Sequence, residues 1–156
     1  MADYNITSTS VDNPVDTRWR ASSHGNNVAQ PGTLDLTEFV EGVHYNIGDR
    51  EDFVIPSGVA VQKDADTGMY VPWVPGTPAE GEEGDEGYKP AVEAAPVAGF
   101  INDNLGVEIK RADGTISEKA PFARWMHGVV DASFLPVAEQ AAALPGSVHA
   151  VLVSYL

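Results

Sequence analysis

The stretch that most constrains the fold is residues 52–73, DFVIPSGVAVQKDADTGMYVPW, two short apolar runs around one turn. Val59 and Val61 alternate with Ala60 and Gln62 on one side, and Met69, Val71 and Trp73 continue on the other. Between them, Lys63-Asp64-Ala65-Asp66-Thr67-Gly68 carries the residues that favour a tight turn, with Gly68 free to take a positive φ. Pro56-Ser57-Gly58 breaks the chain just ahead. The pattern predicts a β-hairpin, around which the other short strands must find partners.

Those strands follow in both directions. Thr33-Leu34-Asp35-Leu36-Thr37 alternates and predicts an edge strand or one donated to a neighbour. Residues 37–42 suggest a helical turn ended by Gly42, and Val43, Tyr45 and Ile47 alternate again. Beyond the hairpin, Val97–Ile101 reads as a strand, and Leu105, Val107 and Ile109 alternate up to an Asp113-Gly114 hairpin turn. Residues 126–130 suggest another strand. Asp131 or Ser133 is placed to cap a helix over 137–144, with Pro136 in its first turn and Pro145-Gly146 as its stop. The last residues, 148–155, are apolar enough for a central strand. Many short strands, many turns and one helix predict a mainly β, barrel- or sandwich-like domain.

Two segments stand outside that pattern. Residues 1–40 are rich in Ser, Thr, Asn, Asp and Gly, and their apolar side chains are scattered singly. They are expected to form an extended arm ordered by a partner, with the β-rich domain confined to 41–156. Trp19 between Arg18 and Arg20 has the chemistry of an interface anchor, although folding back onto its own domain is the equal alternative. Residues 74–96 carry four prolines and the cluster Glu80, Glu82, Glu83, Asp85 and Glu86. This is expected to be a solvated acidic insertion, because its interspersed glycines give carboxylates no fixed ligand geometry.

Charge and motifs narrow the function. With 23 acidic against 9 basic residues, the formal net charge of −14 repels nucleic-acid phosphate and anionic membranes. There is no cysteine for a disulfide or a thiolate zinc site. No apolar run nears the roughly 20 residues of a membrane helix. The first residues lack the basic start and apolar stretch of a signal peptide, so the chain is expected to remain where it is made or in a particle assembled there. No nucleophile elbow, phosphate loop or zinc-protease motif is present. Asp64-Ala65-Asp66 opens like a calcium loop, but Pro75 stands where the closing Glu belongs. His24, His44, His127 and His149 are isolated in sequence; His127 and His149, in predicted strands, could face each other, but a pair of core or edge histidines is the commoner outcome. No metal, cofactor or catalytic residue is expected.

The order IPSGVAVQKDADTGMYVPW, an acidic insertion, VAGFINDNLGV, ARWMHGVVDASFLPVAE and a closing GSVHAVLVSYL resembles the lambda-type head decoration proteins of tailed phages. TRWRASSHGNNVAQPGTLDLTEF and Ile55–Val59 look like versions carried by actinobacterial phages. The similarity runs from about residue 18 to the end; the acidic insertion and the Lys110–Lys119 hairpin depart from it. The resemblance implies a β-tulip-like fold and a homotrimer on the outer capsid surface at three-fold and quasi-three-fold positions, assembled in the host cytoplasm. It implies a clamp on neighbouring major capsid subunits against DNA pressure, with no enzymatic activity and no direct nucleic-acid or membrane contact. It also implies an N-terminal arm that orders on the shell, so that Arg18, Trp19, Arg20, His24, Leu34, Leu36 and Phe39 become the capsid-binding residues. Two other classes stay open. A carbohydrate- or surface-binding β-module would present Tyr70, Trp73 and Trp125 on one exposed face. A small barrel enzyme would need a deep pocket with convergent polar groups.

Overall fold

The structure, a computed structural model, describes residues 16–144 and the backbone of Ala150–Val151. Its centre is the expected hairpin: β3 (Ala60–Lys63) pairs antiparallel with β4 (Tyr70–Pro72), with Val61 opposite Pro72 and Lys63 opposite Tyr70. The turn closes through Asp64, whose N–H donates to Met69 O at 2.9 Å and whose carbonyl accepts from Gly68 N–H at 2.9 Å. Asp64 Oδ1 accepts from Asp66 N–H at 2.8 Å, and Gly68 takes φ +71°. A side chain that folds back on its own turn is what Asp contributes at such positions.

Five strands close into a barrel in the order β1–β4–β3–β5–β7, where β1 is Gln30–Asp35, β5 Gly99–Ile101 and β7 Lys119–Trp125. The longest ladder is β1 against β7, antiparallel from Gln30–Arg124 to Asp35–Lys119. Closure comes at a single parallel pairing, Leu34 beside Tyr70. Two small sheets flank the barrel: β2 (Val54–Ile55) with β6 (Val107–Glu108), and β8 (Val129–Val130) with β9 (Ala150–Val151). The Asp113-Gly114 turn forms as expected, with Arg111 N–H donating to Thr115 O at 2.8 Å.

The core has two compartments. Leu34, Leu36, Phe39, Ile55, Val59, Val61, Tyr70, Ile101, Val107, Ile109, Phe122 and Val137 form one. Trp19, Ala60, Trp73, Phe100, Trp125, Val130, Ala132 and Leu135 form the other, against the opposite face of the same strands. Val59, Ala60 and Val61 are therefore all buried, and so are Gly99, Phe100 and Ile101. Strands covered on both faces read as continuous apolar runs, which is how GVAV and GFI appear in the sequence.

The second compartment is roofed by the segment before β1 and by the C-terminal turns. Asp131 caps a 3-10 turn over Ala132–Phe134, its carboxylate accepting from Ser133 N–H at 3.0 Å. The helix follows as α1, Ala138–Ala143, one residue shorter at each end than expected. Its Gln140 is 1% exposed and docks it onto the hairpin. Gln140 Oε1 accepts from Ala60 N–H at 2.9 Å, while Nε2 donates to Ala60 O at 3.0 Å and Trp73 O at 2.9 Å.

Several expectations need correction. The boundary at residue 40 does not stand for residues 16–40, because β1 is a stave of the barrel and Trp19 is fully buried against Phe100 of β5 and Trp125 of β7. β1 is paired on both sides by its own chain and so is neither an edge strand nor one donated to a neighbour. The turn near residue 37 is a 3-10 turn over Leu36–Glu38, capped by Asp35. Residues 43–47 form turns and one isolated bridge, with Asn46 at φ +52°. Of the expected closing strand, Ala150–Val151 pairs beside the barrel with β8, not within it; its other residues, like 1–15, lie outside the described residues.

The acidic insertion behaves as its composition implies. Residues 76–87 are all exposed. They form a loose excursion tied by the bridges Thr77–Val92 and Glu80–Lys89 and by a 2.9 Å Lys89–Glu80 ion pair.

Candidate functional site

The seven residues assigned to shell binding divide into two groups. Trp19 and Leu34 are 0% exposed, Leu36 4% and Phe39 5%. These four are core residues, unavailable to any partner while the domain is folded. The Trp19 indole stacks on Phe100 at 5.5 Å and meets Trp125 edge-on at 5.4 Å. Its Nε1–H donates to Ser57 Oγ at 3.1 Å. Gly58 makes this possible: at φ +95°, its missing Cβ would stand 2.7 Å from the indole. The local sequence argued for an anchor, and Trp19 is one, but of its own fold.

Arg18, Arg20 and His24 remain at or near the surface. Arg18 forms a two-pronged pair with Asp16, Nε to Oδ1 at 2.9 Å and NH2 to Oδ2 at 2.6 Å. Its hydrogen bonds hold the Asp16 carboxyl below the usual carboxylate range, and the same contact raises the guanidinium. The Arg18 guanidinium also lies 4.5 Å over the ring of Phe134. Around it opens a groove of about 480 Å³ lined by Asp16, Asn46, Ile47, Leu105, Phe134 and Pro136. Two of these, Leu105 and Phe134, are exposed large apolar side chains at 68% and 38%.

Arg20 turns toward a different face. Its NH1 donates to Asn102 Oδ1 at 2.7 Å and its NH2 to Asn104 Oδ1, and partial burial lowers its pKa. Asn102 and Asn104 follow directly on β5. They line a polar groove with Thr17, Ser22, Ser23 and Asn26.

His24 meets His127, the two Nε2 atoms 2.6 Å apart. His149, which strand positions alone would allow to face His127, lies outside the described residues. His44 is half-buried, its Nδ1 accepting from Val40 N–H at 2.9 Å, and burial lowers its pKa despite the opposing charge of Glu139. Among the described residues no group of three or more His, Asp or Glu gathers to hold a metal ion, and no helix is long and apolar enough to cross a membrane.

The aromatic face required of a carbohydrate-binding module is not at the surface. Tyr70 is 8% exposed, Trp73 7% and Trp125 0%, and Trp73 Nε1–H is used by Ala95 O at 2.7 Å. Comparison with known protein families, with characterised proteins and with solved structures finds no match to this chain.

Proposed function

We propose that this chain is a non-enzymatic head decoration protein of a tailed phage, trimeric and seated on the outer surface of the expanded capsid against major capsid subunits. Support comes from the sequence resemblance together with a doubly packed β-barrel that matches the fold class it implies. The acidic surface agrees with a protein that stays off the packaged DNA.

The observation that carries the reading of the binding face is the groove at Asp16. Asp16 and the Arg18 guanidinium line it beside exposed Leu105 and Phe134. Exposed apolar side chains rimmed by charge are the common make-up of a protein-binding patch. Since residues 16–39 are committed to the domain, coat attachment is assigned to residues 1–15 together with this groove. Arg18 is the one residue of the original set retained at that contact.

The test is co-sedimentation with empty expanded shells. The full chain should bind, and the chain lacking residues 2–15 should lose most of its attachment while keeping its unfolding temperature. Analytical ultracentrifugation should show a trimer at the three-fold positions' stoichiometry. Undiminished binding of the truncated chain would move the clamp to the barrel face. Failure of the full chain to bind any expanded shell would overturn the reading.

A further inference from the structure

The dipeptide His-Gly occurs twice, as His24-Gly25 and His127-Gly128, and the fold packs the two copies back to back. A Cβ on Gly25 would stand 1.7 Å from the carbonyl oxygen of His127. One on Gly128 would stand 2.5 Å from the carbonyl oxygen of His24. Each glycine thus rests on the backbone of the other copy's histidine, at distances no side chain permits. Both take positive φ, +80° and +144°, which L side chains rarely adopt.

This reciprocal contact brings two exposed imidazoles together. Their ring centroids are 4.6 Å apart and their planes inclined by 67°. The scaffold on each side is tied down. His24 N–H donates to Ser22 Oγ at 3.3 Å, and Val28 N–H to Gly25 O at 3.2 Å. Ala21 N–H donates to Val129 O at 3.0 Å, and Trp125 Nε1–H to Asn26 Oδ1 at 3.3 Å. The imidazoles are therefore presented by two anchored segments 103 residues apart in sequence.

We propose that His24 and His127 form a two-histidine chelate for a divalent transition cation that favours imidazole, zinc or nickel. Two Nε2 atoms at hydrogen-bond distance hold one hydrogen between them; a cation takes its place when both rings carry their hydrogen on Nδ1, leaving both Nε2 lone pairs to the metal. With metal–nitrogen bonds of about 2.0–2.1 Å, the nitrogens must stand roughly 2.9 Å apart for a right-angle site and roughly 3.4 Å for a tetrahedral one. The pair has only to open by less than about 1 Å, within the reach of exposed side chains turning about χ1 and χ2. Water fills the other positions. The strongly negative chain draws cations toward it. A bound ion would staple the turn before β1 to the corner after β7, closing a long loop at the barrel's longest ladder. The inference is independent of what the protein binds.

The experiment uses the untagged full chain titrated with Zn²⁺ or Ni²⁺ alone, read by thermal unfolding and by NMR of the histidine rings, with Mg²⁺ as the control for carboxylate binding. The expected result is a saturable rise in Tm of several degrees with Zn²⁺ or Ni²⁺ and none with Mg²⁺. Ring resonances of two of the four histidines should move together. His24→Ala and His127→Ala should each abolish the rise while leaving metal-free Tm near wild type. No rise in the wild type, an equal rise in either variant, or movement of any other histidine pair would overturn the proposal. Should a variant fold poorly, the ring resonances of the wild type decide alone.

Discussion

Trp19→Ala is the substitution that separates a core tryptophan from a partner anchor. The side chain is 0% exposed and lies between Gly58, Phe100 and Trp125. Burial of a Trp removes on the order of 150–250 Å² from water, and truncating a buried Phe or Trp to Ala costs about 3–5 kcal/mol. The Nε1–H bond to Ser57 is lost as well. Ser57 Oγ still donates to Ile101 O at 3.2 Å, so this loss leaves no orphaned hydroxyl and adds about 1 kcal/mol at most. Phe100 and Trp125 are held by strand pairing and cannot collapse into the space, so the total does not fall below the middle of that range, about 4 kcal/mol. For a domain of this size that corresponds to a fall in Tm of roughly 8–16 °C. Differential scanning calorimetry of the isolated protein measures it with no partner present. A change within about 1 kcal/mol would mean that the indole is not packed on its own domain, and the arm reading of residues 16–40 would return.

Removal of residues 1–38 should abolish cooperative unfolding, read by circular dichroism, because it takes out a barrel stave as well as Trp19; a native-like melt would refute the closure. Gln140→Leu should destabilise by about 2–4 kcal/mol in urea titration, since it strands Ala60 N–H and leaves the docking carbonyls of Ala60 and Trp73 short of a donor. Excision of residues 77–92 with a short Gly-Ser link should change stability by less than about 1 kcal/mol, the Lys89–Glu80 pair being exposed; shell binding should persist too. His44 titrates below its ordinary 6.5 in the folded state because burial favours the neutral ring. The unfolded chain therefore binds that proton first. The associated stability is complete above the unfolded value and declines as pH falls through it toward the lower folded value. His44→Gln should flatten this part of a pH series of urea midpoints, and an unchanged slope would argue against it.

What the sequence revealed was decided by neighbours along the chain. Asp64 and Gly68 make the hairpin turn within five residues, and Asp113 and Gly114 make the next. Each is a side chain satisfying nearby backbone, so composition and spacing suffice to find it. The helix was legible from its bounds, Pro136 and Pro145, but not from its cap: Asp131, expected there, caps the separate turn over Ala132–Phe134, and the helix N-cap Val137 makes no side-chain cap. The commitment of residues 16–40 to the core was not. Their apolar residues are singles in polar sequence, the signature of a segment unable to bury itself. The barrel reverses that logic by supplying the burial from afar: β7 for Leu34, Phe100 and Trp125 for Trp19.

The same non-locality hid the surface chemistry. Nothing near His24 announces His127, and the suggestion that His149 could face His127 rested on strand positions alone. The repeated His-Gly was the available sign, because a glycine following a functional side chain is worth little in a loop unless another backbone must come close. Here two must, and they meet each other. A glycine's freedom and a histidine's chemistry are thus parts of one contact: the first sets how near the segments come, and the second determines what the approach can hold. Likewise Gly58 carries no chemistry, yet the fit of Trp19 depends on it, and with that fit the choice between an arm for a partner and a wall of the domain.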